Sequence, residues 1–413
     1  MELYYSLSVM IVIASFFAYL NVRFLKLPST IGVMIIAMAA SIVLVTFGSS
    51  IPNIESRISS LLYSFDFTEV LMGAMLNFML FAGAIHINLR DLNEQRTPIM
   101  TFSTISVMIS TLAVGTLVYF IPMPGLEIPY IYCLLFGALI SPTDPVAVLS
   151  ILKGANVRKS LETKIAGESL FNDGMAVVIF AVLLQLAENE KASFNIFNII
   201  WLFIREAGGG FILGAILGVS ASKAMKKIDD YKVSVLITLS VVMGGYLIAH
   251  ALHVSGPLTM VFAGLIIGNF NRKSSTMSVT TKDYLDKFWE LNDEILNAIL
   301  FLFIGLDLLL IPNLNDYWIP GIASIVIVLT SRFISIWIPG KFIKLKKRFG
   351  SGTIKILVWG GLRGGVSIAL ALSIADSPYT KTIIAITYFV VVFSIIVQGL
   401  TIGRVARKVL AKS

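Results

Sequence analysis

The chain is short of almost everything that soluble chemistry is built from. Of its 413 residues only 14% are charged and three are histidine, where an ordinary soluble domain is about a quarter charged. Cysteine occurs once, as Cys133 in an apolar segment, which excludes a disulfide framework and a paired-cysteine metal site and leaves a small core residue. His86, His250 and His253 lie near the ends of apolar runs, too peripheral to serve as the base for a buried serine, so no enzyme active site is expected. The opening Met1-Glu2-Leu3-Tyr4-Tyr5 has no basic stretch and no small-residue cleavage site, so the first apolar run reads as a retained helix. A net charge of +8 raises nucleic acid as a partner, but that partner requires a basic face on a soluble module, and the short loops provide none.

What is present is apolar length. The chain is 57% hydrophobic with a mean hydropathy of +0.87, the composition of a polytopic membrane protein. Runs of about 20 apolar residues mark spanning helices. Thirteen are expected, at about 4–22, 29–47, 66–88, 97–120, 130–152, 161–187, 195–222, 232–252, 255–270, 284–310, 317–339, 353–374 and 381–403. Lys and Arg in loops set topology. With the N-terminus outside, 26 of the 32 basic residues fall on the cytoplasmic side, Arg57, Lys191 and Lys381 fall outside, and Arg205, Arg332 and Arg363 stay within helices. This alternation gives a multi-pass protein of the cell membrane with an external N-terminus and a cytoplasmic C-terminus, and it accounts for the basic total. Gly208 to Gly210 with Gly214 and Gly218 form a smooth face on the seventh run, read as helix packing.

Two segments break the apolar pattern. Gly167-Glu168-Ser169-Leu170-Phe171-Asn172-Asp173-Gly174 places a Glu, an Asn and an Asp in the sixth run, and Ser141-Pro142-Thr143-Asp144-Pro145 interrupts the fifth. Ionisable groups at such depth mark function, and two prolines stop a helix. A third interruption, Trp359-Gly360-Gly361-Leu362-Arg363-Gly364-Gly365-Val366, lies in the twelfth run, where glycine at this density weakens a helix. The fifth and twelfth runs are seven apart, so they cross the membrane in opposite directions, as inverted repeats do when paired broken helices build a midplane ion site. Asp144 is nine residues from Lys153, Asp173 nine from Lys164, Arg363 eight from Lys355 and Arg332 nine from Lys341. At about 1.5 Å per residue all four lie roughly 13 Å from one membrane edge. In the sixth run Glu168 shares a face with Asn172, and Ser169 with Asp173.

These motifs, with Arg332 and Gly361-Leu362-Arg363-Gly364, resemble the sodium/proton antiporters of the cation/proton antiporter superfamily, in the NhaP/NHE branch. The resemblance runs through essentially the whole chain. It implies an all-α NhaA-like antiporter fold of about thirteen transmembrane helices, with inverted repeats and crossed discontinuous helices. An ion-translocating core would comprise 97–187 and 317–403, a dimerisation scaffold 1–88 and 195–310, and two chains would pair as a homodimer. Asp173 would be the carboxylate that alternates between Na⁺ and H⁺, with Asp144, Ser169 and the Thr143 carbonyl as further oxygen ligands. Asn172 would be the polar neighbour standing where electrogenic relatives carry a second Asp. Glu168 would form a buried ion pair with Arg332, and Arg363 would offset half-helix carbonyls. Some archaeal relatives carry a Phe-Glu-Gly motif in helix three, whose Glu helps bind the ion. Phe81-Ala82-Gly83 stands there in this chain, which leaves the ligand count open.

The residues support the same chemistry without the resemblance. Carboxylates, hydroxyls and freed carbonyls are the oxygen ligands a hard monovalent cation prefers. Burial disfavours a charged carboxylate, so protons compete with cations for it, and competition plus alternating access is exchange. Na⁺, Li⁺ and K⁺ all remain candidates, K⁺ preference being the first alternative. An organic-anion symporter would need anion-binding groups at the half-helix N-termini, where carboxylates stand instead. A channel would need a polar-lined pore or filter ring. Asp144 also fits a helix N-cap with Pro145 at the first helical position. Asp293 and Glu294 are read as a solvated rim, and His86 as an interfacial residue. No cofactor is expected beyond the transported Na⁺ and H⁺, and no partner beyond cations, protons, lipid and a second copy.

Overall fold

A computed structural model describes residues 2–47, 70–121, 128–145, 148–149, 159–188, 196–273, 278–307, 314–342, 351–375 and 377–410. With no water in a bilayer to satisfy backbone groups, apolar runs must pair those groups within the segment and become helices. The helices are α1 (Glu2–Leu20, closed by a π turn at Asn21–Leu25), α2 (Ser29–Phe47) and α3 (a π turn at Leu71–Met75, then Leu76–Ile85). A short helix, Leu89–Glu94, leads to α4 (Arg96–Ser103 and Ile105–Phe120), α5 (Tyr130–Leu139) and α6 (Lys159–Glu188). Next come α7 (Ile196–Phe203, a π turn at Ile204–Gly208, then Gly209–Met225), α8 (Tyr231–Leu252), α9 (Gly256–Lys273) and α10 (Val279–Asp307). The last are α11 (Trp318–Phe342), α12a (Ser351–Trp359), α12b (Gly365–Leu372) and α13 (Thr380–Phe393, a π turn at Ser394–Gln398, then Gly399–Leu410).

Each of the thirteen apolar runs contains described helix, and among the described residues seven helices are by themselves long and apolar enough to cross a membrane. Residues 66–69 of the third run, 146–147 and 150–152 of the fifth, 195 of the seventh and 308–310 of the tenth lie outside the described residues. The tenth helix starts five residues before its expected boundary of 284, because its first turns are polar and hydropathy misses them. There Ser278 Oγ accepts from Thr281 N at 3.1 Å, and Asp229 accepts from Ser278 N at 3.0 Å and from Thr281 Oγ1 at 2.9 Å. Those hydrogen bonds hold the Asp229 carboxyl below the usual carboxylate range.

The glycine face of the seventh run meets α9. A methyl on Gly214 would come within 2.5 Å of the Thr259 carbonyl, and one on Gly218 within 2.9 Å of Ile266, so these positions let two backbones approach where lipid gives helices no hydrophobic reason to associate. Interhelical hydrogen bonds do the rest: Ser41 donates to the Gly305 carbonyl at 2.9 Å, joining α2 to α10, and Ser106 to the Ser335 carbonyl at 2.6 Å, joining α4 to α11. Cys133 is buried in the core. Around the interruptions α4 packs on α5 and α11, α6 on α5, and α11 and α12b on α13.

Candidate functional site

The two interrupted helices meet. α5 stops at Leu139, Pro142 and Pro145 follow in the break, and the Leu149 amide donates to the Pro145 carbonyl at 2.7 Å. α12a stops at Trp359, and α12b restarts at Gly365. Between these breaks the Asp144 amide donates to the Leu362 carbonyl at 2.7 Å, an isolated antiparallel bridge. A side chain on Gly364 would stand 2.7 Å from Asp144 Oδ2, and one on Gly361 would stand 2.6 Å from Arg332 Nε. Glycine is therefore needed at both positions for close approach.

Breaking a helix leaves carbonyls without donors. Arg363, 2% exposed, supplies them: its Nη1 donates to the carbonyls of Ser141 at 2.5 Å and Pro142 at 2.8 Å, so a guanidinium sits where the end of α5 concentrates negative charge. Two residues that sequence reasoning passed over hold this arginine. Its amide donates to Ser394 Oγ at 2.8 Å, Ser394 donates to Gln398 Oε1 at 2.7 Å, and Gln398 Nε2 donates to the Trp359 carbonyl at 3.1 Å. The π turn of α13 thereby straps both ends of the α12 break, in keeping with the tendency of such turns to fall at functional positions. The available signal was Gln398 itself, a lone amide in an apolar run. Replacing Gln398 with Leu removes the donor to Trp359 and is expected to destabilise the protein by about 1–3 kcal/mol, read as a lower melting temperature in detergent.

On α6, Glu168 accepts from Arg332 Nη2 at 2.7 Å with both side chains about 5% exposed or less, and the same nitrogen donates to the Leu357 carbonyl at 3.2 Å. Thr143 gathers the remaining contacts. Asn172 Nδ2 donates to Thr143 Oγ1 at 2.8 Å, the Thr143 amide donates to Asn172 Oδ1 at 3.3 Å, and Ser169 Oγ donates to the Thr143 carbonyl. Asn172, fully buried, is thus a brace between α6 and the α5 break. Asp173 is 8% exposed, and Asp144 and Arg363 are the charges that act on it. A cavity of about 10 Å³ is walled by Thr143, Asp144, Glu168, Ser169 and Arg332, and Asp173 is not among its walls. Residues with hydroxyl and carboxylate oxygens thus border one small volume, with Arg332 and the aliphatic Ile165, Ile356 and Leu357 completing its walls, and such oxygens are the ligands a hard cation takes.

The remaining residues singled out from sequence fall elsewhere. Ala82 and Phe81 are buried, and Phe81 packs against Trp289 with ring centroids 4.6 Å apart. His86 Nδ1 is 3.8 Å from Asp286. His253 ends α8 in the left-handed region at φ 52°, and its carbonyl accepts from Arg205 Nε at 3.1 Å, which gives a helix-embedded arginine a partner.

The transmembrane sodium/hydrogen exchanger family matches residues 11–408. The chain is 46% identical to the Na⁺/H⁺ antiporter NhaP of Pseudomonas aeruginosa over 97% of this chain and 96% of that protein. It is 33% identical to the Na⁺/H⁺ antiporter NhaH of Halobacillus aidingensis, covering 94% and 93%. The structure of the sodium proton antiporter MjNhaP1 from Methanocaldococcus jannaschii shares its fold, with a TM-score of 0.77 at 22% identity over 99% of this chain and 100% of that one. A match that spans nearly the whole sequence, at these identities, makes the chain a member of the sodium/hydrogen exchanger family.

Proposed function

We propose that the chain exchanges Na⁺ for H⁺ by alternating access, with the two ions competing for Asp173 and with Asp144, Ser169, Thr143 and Asn172 forming the rest of the site. The crossing of the two breaks carries this reading: it sets Asp144, Thr143 and Ser169 around one small cavity beside α6, the helix that carries the buried Asp173 four residues beyond Ser169. The names of the two bacterial relatives support Na⁺ as the cation. Asn172 and Ser169 hold Thr143 in the described arrangement, so a cation entering here takes the Thr143 carbonyl from the Ser169 hydroxyl. Residues 97–187 and 317–403 would move as the translocating core against a scaffold of 1–88 and 195–310. Two chains would pair in the cell membrane with their N-termini outside. The test is a pH-sensitive dye assay on everted vesicles with Na⁺, Li⁺ and K⁺ added in turn. Dequenching by none of them would overturn the proposal, and dequenching by K⁺ alone would reassign the cation.

Stoichiometry follows from Asn172. With an amide in place of a second acid, one carboxylate swaps one cation for one proton while Asp144 stays ionised, and the carrier makes both crossings with the same charge. A potential of 100 mV is worth about 2.3 kcal/mol only for charge that moves. Exchange is therefore expected to be electroneutral: in proteoliposomes clamped with valinomycin at fixed ion gradients, the final internal pH should not depend on voltage. An endpoint that shifts with voltage would show a second titrating group in the cycle, Asp144 first.

A further inference from the structure

A second cavity of about 10 Å³ lies between α11, α12 and α13. Its walls are mostly aliphatic, Val328 and Val390 among them, yet three polar side chains reach it: Arg332, Arg363 and Gln398. The two arginines are 5% and 2% exposed. Arg332 spends Nη2 on Glu168 and the Leu357 carbonyl, and Arg363 spends Nη1 on the Ser141 and Pro142 carbonyls. Among the described residues Arg332 Nε and Arg363 Nη2 have no hydrogen-bond partner. A buried donor left unmade costs about 1–3 kcal/mol, and more on a charged group. Two such donors, carried by residues that line one small cavity, call for a shared acceptor.

We propose that this cavity is a binding site for a single water molecule that accepts from Arg332 Nε and Arg363 Nη2. The volume is about that needed by one water. Gln398 Oε1, which takes one hydrogen bond from Ser394, has a second lone pair for the water to donate to. A water suits the site better than an anion, because Glu168 already balances Arg332, and Asp173 and Asp144 stand near Arg363. So filled, the site joins three separate pieces of the fold: the Glu168–Arg332 pair between α6 and α11, the Arg363 cap on α5, and the α13 strap. This water is structural and distinct from the cation site, so its assignment does not depend on which ion is carried.

The direct test is a structure of the unaltered protein in lipid nanodiscs at a resolution that shows ordered water. A peak within hydrogen-bond distance of both nitrogens, about 2.7–3.2 Å, is expected, and a dry cavity at that resolution overturns the proposal. A second arm reads a sign. Val328→Ile and Val390→Ile each push a methylene into the cavity; filling a dry apolar void stabilises, whereas expelling the water strands two charged donors. Melting temperatures several degrees lower are expected in both variants, and a rise in either overturns the proposal. Exchange of chloride for gluconate is expected to leave the melting temperature unchanged, and a fall would assign the site to an anion instead of water.

Discussion

Replacing Asp173 with Asn is expected to reduce cation-dependent proton flux to background while leaving a folded protein. The amide keeps the volume of the carboxyl but neither takes up a proton nor balances a cation, so both halves of the exchange fail at once. The surroundings tolerate the change sterically, because Asp173 is absent from the braces that hold the crossing: those run through Asn172, Ser169 and Arg363. The measurement is the dye assay on vesicles carrying equal amounts of variant and native protein, with size-exclusion chromatography in detergent as the check on folding. Flux near the native rate would remove Asp173 from the transport step. Ser169→Ala, which leaves both acids in place, is expected to weaken apparent cation affinity without abolishing exchange, and that contrast separates the titrating residue from a ligand.

The largest loss of stability is expected from Arg332→Ala. Removing one partner from a buried pair typically costs about 3–5 kcal/mol because the other charge is left uncompensated. Here the guanidinium also donates to the Leu357 carbonyl near the end of α12a and lies against Gly361, so its loss loosens the α12 break as well as the α6–α11 contact. A large drop in melting temperature in detergent should result, partly relieved in the double variant Glu168→Gln/Arg332→Ala, where no stranded carboxylate remains. A native melting temperature for Arg332→Ala would mean that Glu168 is compensated by another cation, with Arg363 the first candidate.

The parts of this arrangement legible in the sequence were those with a local cause. Apolar runs become helices whatever they pack against, so the helices follow from hydropathy, and Pro142, Pro145 and the glycines around Arg363 announce breaks in their own neighbourhoods. The pairing of Glu168 with Arg332 came through family resemblance, because nothing local selects a partner 164 residues away. The bridge from Asp144 to Leu362 was invisible for the same reason, being made by backbone atoms that every residue has. Ser394 and Gln398 escaped because one serine and one amide scarcely alter the hydropathy of an apolar run. The polar start of α10 escaped because capping by Ser278 and Asp229 depends on a loop nearly fifty residues earlier.

The acids at the crossing, Asp144, Glu168 and Asp173, all precede the bases, Arg332 and Arg363, in the chain, and this division sets an order for biogenesis. At roughly 5–20 residues per second of synthesis, Glu168 leaves the ribosome on the order of 10–30 s before the arginine it pairs with. For that interval three carboxyl groups lie in or near the bilayer with no cation from the second half to offset them, each at a cost of a few kcal/mol if charged at the bilayer centre. The first half of the transporter therefore gains the Glu168–Arg332 pair and the Arg363 cap on α5 only after the second half has been made. A nascent chain that stops short of Arg332 leaves Glu168 without that partner within the membrane, the kind of unfinished product that cellular proteolysis removes.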